Sequence, residues 1–137
     1  MLAILSLCTA PLAQGQTQLE MNGQAAEGLR EADDELNTTY RKLLEEYAGD
    51  EAFIASLKEA QRCWVAFRDA QLQMKYPERE PGYYGSIQPM CEADYLAELT
   101  QERTAALKVW LEGVEEGDAC AGSVKTKEQT GAGESPE

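Results

Sequence analysis

Residues 60–70 read AQRCWVAFRDA and combine bulky apolar residues with two adjacent opposite charges. Trp64 and Phe67 are three positions apart, and the apolar spacing continues backwards through Phe53, Leu57 and Ala60. Intervals of three and four are typical of one face of an α-helix and do not fit the alternation of a strand. The stretch therefore predicts a core helix.

Arg68 and Asp69 follow directly after this apolar run. The stem of an arginine can lie along apolar surface while its five-donor head reaches a carboxylate on a neighbouring helix. We interpret the pair as a structural contact between helices. A catalytic role is the alternative, but no histidine, serine or metal-ligand cluster accompanies the pair.

The composition limits the classes of function. The 137 residues suit one modest domain, and 12 basic against 25 acidic residues give a net charge of −13. This charge disfavours nucleic acid and anionic membranes and favours a cationic partner; the alternative is that acidity only keeps the protein soluble. Because histidine is absent, we expect no enzymatic activity, metal or cofactor.

The start of the chain is typical of an export signal. Residues 2–12 are mostly apolar, and AQG at 13–15 places small residues at the −3 and −1 positions of a cleavage site. We therefore expect a signal peptide at 1–15, cleavage near Gly15, and a periplasmic or secreted protein. The segment is too short to span a bilayer.

Helical spacing recurs in the rest of the chain, which predicts an all-α fold. Thr17 and Glu20 form a capping box for a first helix that we expect to end near Gly49. Asp50 can then cap the second helix, which runs toward Lys75.

A third helix is predicted after Ser86, with Pro89 tolerated in its first turn. The expected domain is a three-helix antiparallel bundle at 16–113 with a long loop between the second and third helices. Residues 114–137 contain almost no large apolar residue, so we expect a disordered acidic tail. The apolar stripe of the third helix comprises Met90, Tyr95, Leu96, Leu99, Ala106, Leu107, Trp110, Leu111 and Val114.

The expected export places the cysteines in an oxidising compartment, where disulfides form. We favour a disulfide between Cys63 and Cys91, with free thiols as the alternative. Cys8 leaves with the signal peptide; its lipidation is an alternative, although the bulky Leu7 precedes it. Cys120 remains unpaired in the tail.

Four motifs occur in this order along the chain: Ala32-Asp33-x-x-Leu36-Asn37-x-x-Tyr40, Ala60-Gln61-Arg62-x-Trp64-x-x-Phe67-Arg68-Asp69-Ala70, Gly85-Ser86-Ile87-x-Pro89-Met90 and Thr100-x-x-Arg103. Together they resemble the exported bacterial family named after the lysozyme inhibitor LprI. They cover roughly residues 17–112. The resemblance implies a small exported helical domain that inhibits lysozyme in a few members. Relatives commonly have cysteines where this chain has Gln24, Leu72 and Tyr95.

This resemblance suggests a lysozyme inhibitor that acts by protein–protein contact, without enzymatic activity. The alternative is a structural or stress-related envelope protein that binds another periplasmic partner. Polar residues within the motifs are interpreted as a structural network between helices, or alternatively as a ligand site. They are Asp33, Asn37, Tyr40, Gln61, Arg68, Asp69 and Arg103.

The loop at 76–85 reads YPEREPGYYG and is the best candidate for a partner contact. Tyrosine and arginine dominate binding hot spots because they bury large areas while keeping a polar end satisfied. The candidate contact residues are Tyr76, Arg79, Tyr83 and Tyr84. In the alternative interpretation, the tyrosines pack over the helix ends and the loop is only a connector.

Overall fold

The computed structural model describes residues 17–131, which contain three long helices. No β-strand occurs within this range, so the predicted all-α class is confirmed. The predicted signal peptide at 1–15 lies outside the described residues. The helices are α1 (Gln18–Glu46), α2 (Glu51–Lys75), α3 (Gln88–Glu112) and the short α4 (Lys127–Thr130).

Side chains determine where α1 and α2 begin. The Thr17 hydroxyl accepts a hydrogen bond from the Glu20 amide at 3.2 Å, and the Glu20 carboxylate accepts one from the Thr17 amide at 2.8 Å. Asp50 accepts a hydrogen bond from the Phe53 amide at 2.9 Å. These bonds satisfy amides that have no partner within the helix. Both predicted caps are therefore confirmed.

The long helices run up, down and up, so α1 and α3 are parallel and α2 is antiparallel to both. Near the starts of α1 and α3, the Asn22 side chain donates to the Ser86 carbonyl at 3.3 Å. Near their ends, the Tyr47 hydroxyl donates to the Trp110 carbonyl at 3.0 Å. A turn at residues 47–49 follows α1, which ends about one turn earlier than the sequence predicts.

Small buried residues allow α1 and α3 to approach each other closely. Along α2, which is described in full, Leu57 is the only buried residue. The second helix is therefore attached mainly through the side chains of one face. The small buried residues are Ala25, Ala32 and Thr39 on α1, and Ala93, Ala97, Thr100 and Thr104 on α3.

The hydrophobic core lies at the end of the bundle where α1 meets α2. The rings of Tyr47 and Phe53 are 4.3 Å apart between centres, and those of Phe53 and Trp110 are 6.4 Å apart. Leu43 is fully buried, so Leu43→Ala should cost about 2–5 kcal/mol of stability. The buried members of this core are Leu36, Leu43, Tyr47, Leu57 and Leu107.

Phe67 and Ala60 do not lie on the core face of α2, contrary to the sequence prediction. Phe67 is 51% exposed, and Ala60 is also exposed. At 3.6 residues per turn, Phe67 is rotated about 80° from Leu57, whereas Arg68 is rotated only about 20°. Arg68 therefore continues the inward face that Leu57 and Trp64 begin.

Residues 114–131 pack against the bundle, whereas the sequence predicts disorder there. The Val114 amide donates to the Lys125 carbonyl at 3.0 Å, and the Lys127 amide donates to the Val114 carbonyl at 2.9 Å. The Lys125 amide also donates to the Tyr47 hydroxyl at 3.1 Å. These contacts are polar, so the low apolar content of the segment did not predict them. Residues 132–137 lie outside the described part.

Gly113 connects α3 to this C-terminal segment with a φ of 75°. A Cβ atom at this position would lie 2.9 Å from both Lys127 N and Thr126 C. Glycine is therefore required here for its backbone conformation and for the close approach of the returning chain.

Candidate functional site

Arg68 joins the three helices near the middle of the bundle. Its Nη1 atom donates to Asp33 Oδ1 at 2.8 Å and to Thr100 Oγ1 at 3.1 Å. The guanidinium carbon lies 5.2 Å from the centre of the Trp64 ring. Asp69 Oδ1 is 4.0 Å from Arg68 Nε, so it contributes only a long ion pair. Arg68 thus has partners on α1 and α3, while its stem covers part of the core face of α2.

Thr100 is the member of this cluster to which the sequence interpretation gave no role. It is fully buried, and its hydroxyl donates to the Leu96 carbonyl at 2.7 Å while accepting from Arg68. The available signal was its position in the motif Thr100-x-x-Arg103. A threonine hydroxyl can accept a hydrogen bond from an arginine while it donates another, which made Thr100 a candidate partner.

The other predicted network residues lie apart from Arg68. Arg103 Nε donates to Gln61 Oε1 at 3.1 Å and forms a second polar contact between α2 and α3. Tyr40 packs against the hydrophobic core, and Asn37 is exposed. In the hydrogen bonds of residues 17–131, neither Asn37 nor Tyr40 joins the two arginines. The predicted network is therefore two separate contacts.

The connection between α2 and α3 is packed by its own aromatic rings. Tyr76 and Tyr84 meet edge to face with 5.3 Å between ring centres, and the Tyr84 hydroxyl donates to the Pro77 carbonyl at 2.8 Å. Gly82 and Gly85 have φ angles of 83° and 77°, which other residues rarely adopt. These features give the loop a defined shape.

Tyr83 and Arg79 face outward from the same loop. Tyr83 is 67% exposed, and the Arg79 guanidinium carbon lies 6.0 Å from the centre of its ring. The Tyr83 ring also meets Tyr84 edge to face at 4.9 Å. The four candidate contact residues therefore divide into two groups. Tyr76 and Tyr84 shape the loop, and Arg79 and Tyr83 are presented to solvent.

The predicted Cys63–Cys91 disulfide is absent, and both residues have free thiols. Cys63 is exposed, and its sulfur donates to Glu59 Oε1 at 3.5 Å. Cys91 instead lies beside Tyr76. Burial of the Tyr76 hydroxyl is the main cause of its raised pKa, and the neighbouring Cys91 thiol is the second. The two thiols face different surroundings, and their positions along the helices did not reveal this.

Many basic side chains already have acidic partners. Lys108 Nζ lies 2.6 Å from Glu35 Oε1, and this hydrogen bond raises the pKa of Lys108. Arg62 contacts Glu59 in the same way at 2.6 Å. Arg79, in contrast, has no carboxylate within ion-pair distance among residues 17–131. The loop therefore presents an unpaired cation on an acidic protein.

A groove of about 210 Å³ lies between α2, α3 and the C-terminal segment. Its floor is apolar, and Arg103 supplies its one charged side chain. Within residues 17–131, no group of three or more histidine, cysteine, aspartate or glutamate side chains is arranged to hold a metal ion. The groove is lined by Phe53, Ser56, Leu57, Ala60, Arg103, Leu107, Trp110 and Ser123.

These features define a small all-helical domain that offers surfaces for binding: a shaped aromatic loop at one end and an apolar groove at the other. Between residues 17 and 131, no helix combines the length and apolar character needed to cross a bilayer.

Comparison with known proteins identifies the family. The family model described as "Lysozyme inhibitor LprI" matches residues 8–107. A protein of Rhizobium meliloti (strain 1021), described as uncharacterized, is 35% identical over 134 residues, covering 83% of this chain and 94% of that protein. No solved structure matches the chain. The chain belongs to the LprI lysozyme inhibitor family, as its four motifs predict.

Proposed function

We propose that this protein is an exported lysozyme inhibitor and that its loop at 76–85 contacts the enzyme. Membership of the LprI family supports the activity. The outward exposure of Arg79 and Tyr83 on a loop of defined shape supports the contact site. The protein acts in the periplasm or outside the cell after removal of a signal peptide near Gly15.

Preorganisation is the physical reason for choosing this loop. The contacts among Tyr76, Tyr84 and Pro77 hold the backbone in shape before any partner arrives. Binding through such a loop loses less conformational entropy than binding through a flexible one. Arg79 and Tyr83 can therefore act as rigid anchors, since both residue types are enriched in binding hot spots.

Charge complementarity supports the same partner. Lysozymes are typically basic enzymes whose glycan cleft carries two carboxylates. A chain with a net charge of −13 is attracted to a basic surface, which accelerates association. The unpaired Arg79 guanidinium can then hydrogen-bond a cleft carboxylate, with Tyr83 packing beside it. The negative charge of the whole protein thus directs its approach to the enzyme, and the Arg79 guanidinium makes the specific contact.

A lysozyme-driven peptidoglycan lysis assay tests this function. The wild-type protein should slow lysis, and Arg79→Ala and Tyr83→Ala should each weaken inhibition by about 2 kcal/mol, or roughly 30-fold. Arg41→Ala is the matched control, because Arg41 is exposed on α1 and its side chain donates a hydrogen bond to the neighbouring Thr38 hydroxyl of the same helix. It should inhibit like the wild type.

Two results would count against the proposal in different ways. If the Arg79→Ala/Tyr83→Ala double variant inhibited with wild-type potency, the contact would lie on another surface. If wild-type protein inhibited neither chicken-type nor goose-type lysozyme, the inhibitory activity itself would be rejected. Circular dichroism of each variant separates loss of contact from loss of fold.

A further inference from the structure

The groove between α2, α3 and the C-terminal segment has the composition of a small-molecule site. Phe53, Leu57, Leu107 and Trp110 form an apolar surface within a volume of about 210 Å³. Pockets that bind small molecules combine such a surface with a few polar groups that orient the ligand. Here, the polar side chains are Ser56 on α2, Arg103 on α3 and Ser123 in the C-terminal segment.

The C-terminal segment contributes one wall of this groove. Ser123 lines it, and the Ser123 hydroxyl accepts a hydrogen bond from Trp110 Nε1 at 3.0 Å. This bond fixes the indole ring of Trp110 against the groove. Three separate parts of the chain therefore build the cavity.

Arg103 is the charged group of the groove, and it lacks an acidic partner. Its Nε atom is used by Gln61, a neutral amide, at 3.1 Å. No carboxylate lies within ion-pair distance of its guanidinium among residues 17–131, in a chain with 25 acidic residues. Partial burial lowers the pKa of Arg103, as expected for a cation removed from water without a compensating charge.

We propose that this groove binds a small organic monocarboxylate with an aromatic or branched apolar body. The carboxylate pairs with the free Nη atoms of Arg103, and the apolar body lies against Phe53, Leu57 and Trp110. Arginine offers two parallel donors that match the geometry of a carboxylate. An anion is favoured over a neutral or cationic ligand because it supplies the charge that the arginine lacks.

The size of the groove limits the ligand to one or two rings. Drug-sized ligands occupy pockets of about 300–1,000 Å³, and this groove is smaller. We therefore expect fragment-like affinity, with a dissociation constant in the micromolar to millimolar range. The ligand would bind far from the loop at 76–85, so this site is independent of the proposed lysozyme contact.

Titration of ¹⁵N-labelled protein with three matched probes tests the site: 3-phenylpropionate, 3-phenylpropanamide and 3-phenylpropylamine. The acid should shift the Trp110 indole resonance saturably and bind about tenfold tighter than the amide. The amine should bind weakest. Trp64→Phe assigns the two indole resonances, and added salt should weaken binding of the acid more than that of the amide.

Variants of the groove complete the test. Arg103→Gln should reduce the affinity for the acid to that for the amide, while Arg41→Gln should leave both unchanged. Ala60→Phe fills the groove from an exposed position of α2, so it should abolish binding even if Arg103→Gln proves too unstable to titrate. Equal affinity for acid and amide, an unchanged affinity in Arg103→Gln or Ala60→Phe, or no saturable shift with the acid would each overturn the proposal.

Discussion

Lys125 Nζ lies 2.7 Å from a carboxylate oxygen of Glu46 and 2.7 Å from the Glu46 backbone carbonyl, so one side chain attaches the C-terminal segment to the end of α1. The ammonium also lies 4.7 Å from the centre of the Tyr47 ring. Carbonyl groups at a helix end lack partners within the helix, and a cation there is favourable. A segment with little apolar surface is held in this way.

Lys125→Ala should release the C-terminal segment while leaving the bundle folded. The side chains of Lys125 and Glu46 are about one third exposed, so the stability loss should be modest, about 1 kcal/mol. Hydrogen exchange at residues 114 and 124–127 should accelerate strongly, with little change in the middle of α1. Lys58→Ala is the control, because Lys58 is an exposed lysine on α2. Unchanged exchange after Lys125→Ala would show that other contacts hold the segment.

Arg68→Ala should lower the free energy of unfolding by about 2–3 kcal/mol, because it leaves Asp33 and the buried Thr100 hydroxyl without their shared donor. Urea unfolding followed by circular dichroism measures the loss. Arg62→Ala is the control, since Arg62 and its partner Glu59 are both largely exposed. If Arg68→Ala abolished lysozyme inhibition at unchanged stability, the contact would belong on this helical face.

Tyr84→Phe should loosen the loop without changing its outward residues. The variant loses the hydrogen bond to the Pro77 carbonyl, which is worth about 0.5–1.5 kcal/mol. Amide exchange in residues 76–87 should become faster, and inhibition should weaken because the contact residues are less well positioned. Tyr83→Phe, which removes an exposed hydroxyl, should leave loop exchange unchanged. Equal exchange in the two variants would contradict the assigned role of Tyr84.

The raised pKa of Tyr76 predicts that the folded protein loses stability in alkali. The pKa of Tyr76 is raised above the usual 10.0 by burial and by Cys91, so the folded state disfavours the phenolate. This contribution to stability is present below about pH 10 and is lost as the pH rises through the higher folded pKa. The free energy of unfolding should therefore fall more steeply above about pH 10 in the wild type than in Tyr76→Phe. Parallel curves would refute this expectation.

The cysteines should react in two classes. Cys63 and Cys120 are exposed and should be alkylated rapidly in native protein, whereas the partly buried Cys91 should react slowly. Because these thiols are free, a reductant should leave the melting temperature unchanged. Mass spectrometry of protein treated with iodoacetamide identifies the modified sites. A Cys63–Cys91 peptide linked by a disulfide in unreduced protein would contradict the free-thiol arrangement.

Local chemistry made some features predictable from the sequence. The caps at Thr17 and Asp50 depend on residues within one helical turn, so the sequence contains the whole signal. The prediction that Phe67 lies on the core face was wrong because it depended on apolar character and not on the angular position of the residue around the helix axis. Arg68 occupies the inward position although it is charged, which its long apolar stem allows.

Long-range contacts were harder to predict. Lys125 attaches the C-terminal segment to residues that lie 78 and 79 positions earlier in the chain. The composition of the segment therefore does not reveal its partner. The candidate groove depends equally on three distant parts of the chain. The loop at 76–85 was recognisable from its residue types, but only the structure separates Tyr84, which shapes it, from Tyr83, which faces outward.

The parallel arrangement of α1 and α3 has a practical consequence for immobilising the protein. The hydrogen bond from Asn22 to Ser86 places the beginning of α1 beside the loop, and the 29 residues of α1 separate this end from the C-terminal segment by about 43 Å. A surface tether or affinity tag joined before Thr17 would crowd the proposed lysozyme contact. The same tether joined at the C-terminus would point the loop away from the support.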